Sequence, residues 1–286
     1  MRKLRLSTTT NLLPREEGRL CESILANAEM AKRFGFDALD FSFCVTEYTA
    51  DGFEKYVECA IDASERFDIK YEVCHLPFSG RVALDPSVMP ELEDRIYNGI
   101  KGAKMLGVKY AVVHPNTTTV LLREFDEEAT YESVIAHLGR IVERAEREGV
   151  NVVVENMRPV PRFLPTHRYC AFPEELCRVA DKLGIGICWD FGHANIAGLC
   201  QSKALEYVGS RLKMLHVNDN RGIDDDHIPP LFGTIDWKDA MHGLALAGFD
   251  GLFNYELETK HLPLSVRETF AAHAVATADE IMNYIK

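Results

Sequence analysis

Six short apolar runs in this chain each end on a side chain that can bind a cation or carry a proton. His75 closes "YEVCH", His114 closes "YAVVH", Glu155 closes "NVVVE", Asp190 closes "GICWD", His216 closes "LKMLH" and Glu256 closes "LFNYE". Their separations are 39, 41, 35, 26 and 40 residues. Eight equal repeats of 286 residues would average about 36 residues each, so these side chains recur at nearly one phase. His193 follows Asp190 by three residues in "WDFGH". Each position alone has a plain structural reading, such as a loop anchor, a hydrogen-bonded rim histidine or a helix start. In-phase recurrence over six consecutive strands is harder to obtain from structural needs alone.

Three carboxylates brought to one axis repel one another and are costly to ionise together. A divalent cation removes that penalty. Glu155, Asp190, His216 and Glu256 form a mixed oxygen and nitrogen set, suited to Mn²⁺, Mg²⁺, Co²⁺ or Zn²⁺ and too hard for a thiolate-type centre.

The elements that must position these residues are legible from periodicity. Apolar or β-rich runs at 3–8, 36–42, 70–75, 109–114, 150–155, 185–190, 211–217 and 251–256 alternate with amphipathic segments. The latter fall at 19–34, 52–67, 90–106, 128–148, 173–183, 201–209, 236–247 and 264–283. Val134, Leu138, Ile141 and Ala145 share one helical face, and Gly149 stops that helix. Eight β and eight α segments in strict alternation require parallel strands with right-handed crossovers. They predict a single-domain (β/α)8 TIM barrel over 1–286; no linker or low-complexity tract divides the chain. An open doubly wound sheet is the competitor, but no G-x-G-x-x-G follows the first strand. The long connections, 76–89, 115–127, 156–172 and 218–235, all follow strands, where barrel active sites are built.

Composition narrows the partners. Formal charge is −12, with 47% hydrophobic and 27% charged residues. An acidic surface repels phosphate backbones, so nucleic acid is not an expected partner. No apolar run is long enough to span a bilayer. "MRKLRLSTTT" lacks a following apolar stretch and does not read as a secretory leader. The eight cysteines include no C-x-x-C pair, and several sit inside apolar runs. They are expected to be reduced, in a cytoplasmic protein.

The motifs "VVHPN", "VVVEN", "CWDFGHANIAG", "LHVNDNRG", "DDHIPPLFGTIDW" and "YELE" resemble the xylose isomerase-like TIM barrels. That group includes tagatose/psicose 3-epimerase-like sugar isomerases and epimerases, inosose-processing enzymes and AP endonucleases. The resemblance runs nearly end to end. It implies Glu155, Asp190, His216 and Glu256 as metal ligands, with Glu155 and Glu256 as the proton-transfer pair of an isomerase or epimerase. His193 and Arg221 would bind substrate oxygens, and His75, His114 and His227 would also face the substrate. The implied substrate is a keto-sugar or cyclic polyol, processed through a metal-stabilised enediolate; an inosose-type dehydratase uses the same chemistry. A homo-oligomer is implied as well.

The AP-endonuclease branch implies a three-zinc phosphodiesterase. His75, His114, Glu155, Asp190, His193, His216, Asp225, His227 and Glu256 all have counterparts there. Against it stand the charge, the scarcity of Arg, Lys and aromatic residues in the strand-end loops, and the spacing of "DDHIPPLFGTIDW". A catalytically dead barrel is the third alternative, and none of the four main ligands is missing. Without a Gly-rich cradle after the last strands, where Arg221 and Lys260 are the available cations, an unphosphorylated substrate is favoured. Phe43, Phe78, Trp189, Phe191 and Phe232 are candidates for an apolar wall.

Overall fold

A computed structural model describes residues 4–10, 18–79, 86–116, 119–159, 166–259 and 262–285. Lys260 lies outside them. Eight parallel strands form the central sheet: β1 (Arg5–Thr9), β2 (Ala38–Ser42), β3 (Lys70–His75), β4 (Tyr110–Val113), β6 (Val152–Glu155), β8 (Gly186–Asp190), β9 (Leu212–His216) and β10 (Leu252–Tyr255). Their order is β10-β1-β2-β3-β4-β6-β8-β9. A parallel bridge from Val217 to Tyr255 brings the last two strands together, and Glu256 N donates to Val217 O at 3.1 Å. The sheet is thus a (β/α)8 barrel, as the alternation predicts.

The outer layer holds α1 (Leu20–Phe34), α2 (Glu54–Phe67), α3 (Met89–Leu106), α4 (Glu127–Glu148), α5 (Pro173–Leu183), α7 (Gln201–Val208), α8 (Trp237–Ala247) and α9 (Leu264–Met282). A short helix, α6 (Phe191–Ile196), follows β8 directly. Helices such as α4 end at a left-handed glycine, Gly149 at φ 74°, which lets the chain turn back into the next strand.

The barrel interior is layered by the two-residue period of its strands. Val73, Val112, Val153, Cys188 and Met214 form a buried apolar plug. Two residues further along the same strands, on the same face, stand His75, His114, Glu155, Asp190 and His216. The intervening residues Cys74, Val113, Val154, Trp189 and Leu215 face outward and join the large core beneath the helices.

Three features depart from expectation. The long connections after β4 and β6 hold two further strands, β5 (Thr119–Leu121) and β7 (Thr166–Arg168), paired antiparallel across the barrel mouth. Both are too short to show a period. Secondly, Cys21 and Cys59 form a disulfide with Cα atoms 5.6 Å apart, so the cysteines are not all reduced. The pair joins α1 to α2, neighbours only after the barrel folds, and a separation of 38 residues leaves no signature. The other six cysteines are free.

The aromatic wall is the third. Phe43, Trp189 and Phe191 are fully buried in the core, and Phe232 is exposed, against His273. Only Phe78 lines the central cavity, its ring 4.3 Å from that of His114. No described helix is long and apolar enough to cross a membrane.

A candidate metal centre at the barrel mouth

Glu155, Asp190, His216 and Glu256 each place a ligand atom within 4.8 Å of the others. Glu155, Asp190 and His216 are buried to 1% exposure or less. His216 Nδ1 lies 2.9 Å from Glu155 Oε1 and 3.2 Å from Glu256 Oε2. Its Nε2 meets no hydrogen-bond partner among the described residues and faces Asp40 Oδ2 at 3.9 Å. Asp190 is held firmly: His193 N donates to Oδ1 at 2.6 Å and Asn218 Nδ2 to Oδ2 at 2.8 Å. A side chain on Gly192 would run into Asn218 Oδ1 at 2.0 Å, which accounts for the glycine of "DFGH".

Three more histidines surround this set, and their tautomers follow from their partners. His75 Nδ1 lies 2.7 Å from Leu76 O, His193 Nδ1 2.7 Å from Asn156 O and His227 Nδ1 2.9 Å from Glu256 O. A backbone carbonyl only accepts, so each Nδ1 carries the hydrogen and each neutral ring turns a lone pair outward from Nε2. Those lone pairs face carboxylates: His75 Nε2 is 3.4 Å from Glu155 Oε2, His193 Nε2 3.4 Å from Asp225 Oδ2, and His227 Nε2 3.3 Å from Asp225 Oδ1. His114 Nε2 adds a contact of 2.9 Å to Glu155 Oε2. Acceptor set against acceptor calls for a cation between them, either a proton or a metal ion. Glu155 Oε2, buried between the Nε2 atoms of His75 and His114, marks the same need. The donor set fits one divalent ion at Glu155, Asp190, His216 and Glu256, and His75, His114 and Glu155 form a second ligand-type group. An imidazole whose other nitrogen is pinned to a carbonyl is the usual arrangement of a metal ligand.

Without a metal ion, protons take up part of this role. Burial works against charge on Glu155, yet His216 and His114 hold its carboxyl well below the usual carboxylate range. Burial lifts Asp190 to about 6 despite His193 nearby. His193 itself is desolvated, but Asp190 and Asp225 raise it to about 9. Burial drops His114 to about 4.

The cavity above the cluster encloses about 610 Å³, part of it open to solvent. His75, His114, Glu155, His193, His227 and Glu256 line it. Arg221 is not among its lining residues; that side chain is 65% exposed and reaches Asp226 at 3.5 Å. Two other arginines, Arg158 and Arg168, line the cavity instead, together with Asn116. Arg158 had a signal, standing three residues after Glu155 in "ENMR". Arg168 had none. Asn116, at φ 52°, donates to His137 Nε2 at 3.0 Å, and His137 Nδ1 in turn reaches Glu93 at 3.1 Å. Asp225 is the shared partner of Arg158, His193 and His227.

The "NDNRG" and "GTIDW" motifs turn out to be scaffolding. Asp219 accepts from Leu231 N at 3.1 Å, Trp237 Nε1 at 2.9 Å and Asn220 N at 2.8 Å. Asp236 caps α8, accepting from Lys238 N and Asp239 N. A Cβ on Gly233 would meet Asp219 Oδ1 at 2.1 Å.

A parallel barrel with clustered carboxylates and imidazoles at its C-terminal mouth has the architecture of the (β/α)8 proteins, whose active sites are built at that face. The profile of the xylose isomerase-like TIM barrel family matches residues 28–285, and the chain belongs to that family. It is 30% identical over 247 residues to the uncharacterized protein MJ1311 of Methanocaldococcus jannaschii, covering 83% of this chain and 80% of that one. An inosose isomerase from Bacillus licheniformis is 24% identical over 203 residues, 68% and 71% of the respective chains. Among solved structures, a D-tagatose 3-epimerase-like protein superposes with a TM-score of 0.75 at 22% identity, over 98% of both chains. A D-allulose 3-epimerase from Methylomonas sp., in complex with D-allulose, gives 0.75 at 13% identity, again over 98% of both. At these identities the structural likeness is one of fold.

Proposed function

We propose that the protein is a divalent-metal-dependent isomerase or epimerase of a keto-sugar or cyclic polyol. The convergence of Glu155, Asp190, His216 and Glu256 within 4.8 Å carries this reading, and the epimerase and inosose isomerase relatives support the substrate class. A bound ion would polarise a carbonyl and acidify the adjacent C–H. The chain supplies the rest. Glu155 and Glu256 approach the site from β6 and from the end of β10, so one carboxylate can take the proton and the other return it. His193 presents Nε2 to the cavity for a substrate oxygen, and His75, His114 and His227 line the same space. The buried apolar plug and Phe78 restrict water. Solvent deuterium exchange into a panel of ketoses and inososes tests the proposal: incorporation next to a carbonyl that depends on both metal and Glu155 is the expected result. No incorporation into any of them removes it.

A second reading, a multi-metal phosphodiesterase of the AP-endonuclease kind, is favoured by one observation. His75 joins His114 and Glu155 in one ligand-type group, and His216 and Glu256 in another, beyond the four-residue set. Elemental analysis decides between the two: one ion per chain fits the isomerase, and three ions with incision of an abasic-site duplex fit the nuclease.

A further inference from the structure

The charged groups facing the cavity are mostly answered within the molecule. Glu155 meets His75, His114, His193 and His216. Arg158 Nε lies 3.2 Å from Asp225 Oδ2. Arg168 differs: it lines the cavity, and its Nε is buried with no hydrogen-bond partner among the described residues. A guanidinium carries five N–H donors in a fixed planar fork, and a buried donor left without an acceptor is destabilising. Burial, reinforced by the nearby Arg158 charge, pulls Arg168 down to about 10, which still leaves its guanidinium charged at neutral pH.

The placement of Arg168 is built. It ends β7, in register with Thr119 of β5. The residues on either side are clamped by Glu175 of α5, whose Oε1 is 2.5 Å from His167 Nε2 and whose Oε2 accepts from Cys170 N at 2.8 Å. A short antiparallel pair laid across the barrel mouth therefore carries to the substrate space a cation that has Asp225 and Glu155 nearby but no hydrogen bond at its Nε.

We infer that Arg168, with Arg158 beside it, forms a subsite for an anionic substituent of the substrate, a carboxylate or a phosphate ester. The inference rests on the cavity being the substrate site proposed above. The cavity then has two unlike ends. The carboxylate and imidazole cluster takes the reacting carbonyl end, and the guanidinium pair takes the charged end. A planar fork matches the two oxygens of either anion, so a backbone phosphate cradle is not required. A phosphate ester at this subsite would reverse the expectation of an unphosphorylated substrate; a carboxylate would leave it standing.

Isothermal titration of the metal-loaded full chain tests it, with D-glucuronate, D-ribulose 5-phosphate and their neutral counterparts D-glucose and D-ribulose as probes. At least one charged probe is expected to bind about tenfold or more tightly than its neutral counterpart. The probe that responds identifies the anion as carboxylate or phosphate. R168M should abolish that preference without changing affinity for the neutral sugars, and R168K should recover part of it, keeping the charge but losing the fork. Equal binding of charged and neutral probes, the absence of binding by both included, overturns the subsite. So does unchanged charged-probe affinity in a folded R168M or, should that variant not fold, in R168K. Deuterium exchange on the same samples keeps the two ideas separable. Exchange without an Arg168-dependent preference sinks only the subsite, and a preference without exchange sinks only the isomerase assignment.

Discussion

Glu155 is buried to 1% exposure among four histidines, His75, His114, His193 and His216. Gln keeps the shape of this side chain but cannot take up a proton, so Glu155→Gln should keep the barrel folded while lowering turnover by about 10²–10⁴-fold. Glu256→Gln should do the same. Circular dichroism and deuterium exchange measured together check both, and wild-type exchange in either variant would remove that residue from proton transfer. The six acids and imidazoles that end apolar runs were legible in the sequence; His193, Asp225 and His227 end no such run. Arg158 stands in the connection after β6, and Arg168 in β7, a strand too short to show a period. Arg221 follows His216 by five residues, and its side chain reaches out to Asp226 rather than lining the cavity.

At the scale of elements, strand and helix periods locate all eight barrel strands and all eight outer helices. What they miss is short or non-local. β5, β7 and α6 have too few residues for a pattern, and the Cys21–Cys59 bond depends on which helices become neighbours. That bond closes a separation of 38 residues, for which chain entropy gives about 4 kcal/mol. Replacing both cysteines with serine should lower the melting temperature, and adding a reductant to the variant should have no further effect. Asp219 fastens the loop that leads into α8. Asp219→Ala leaves the indole N–H of buried Trp237 and the amides of Leu231 and Asn220 without their acceptor. It should cost about 2–4 kcal/mol in urea unfolding, although the residue bears no catalytic role.

For the whole molecule, the central fact is that a barrel gathers acids its chain would otherwise keep apart. The folded state then carries a concentration of carboxylates whose repulsion a divalent ion would relieve. Such an ion would bind the native state and not the unfolded chain, so a chelator should lower the melting temperature by several degrees. Calorimetry with and without chelator, on protein of known metal content, is the check; an unchanged curve in metal-containing protein would speak against a tight site.

The alternation of periods two and 3.6, and the acids and histidines placed at one phase of it, were determined by the sequence itself. These are local properties, written residue by residue, and a closed parallel barrel is the economical way to bury eight such apolar runs. Tertiary structure alone decided which nitrogen of each histidine faces inward, which cysteines meet, and which arginines reach the cavity. Those outcomes depend on loop paths and on contacts between residues far apart along the chain, where no repeating pattern records the distance.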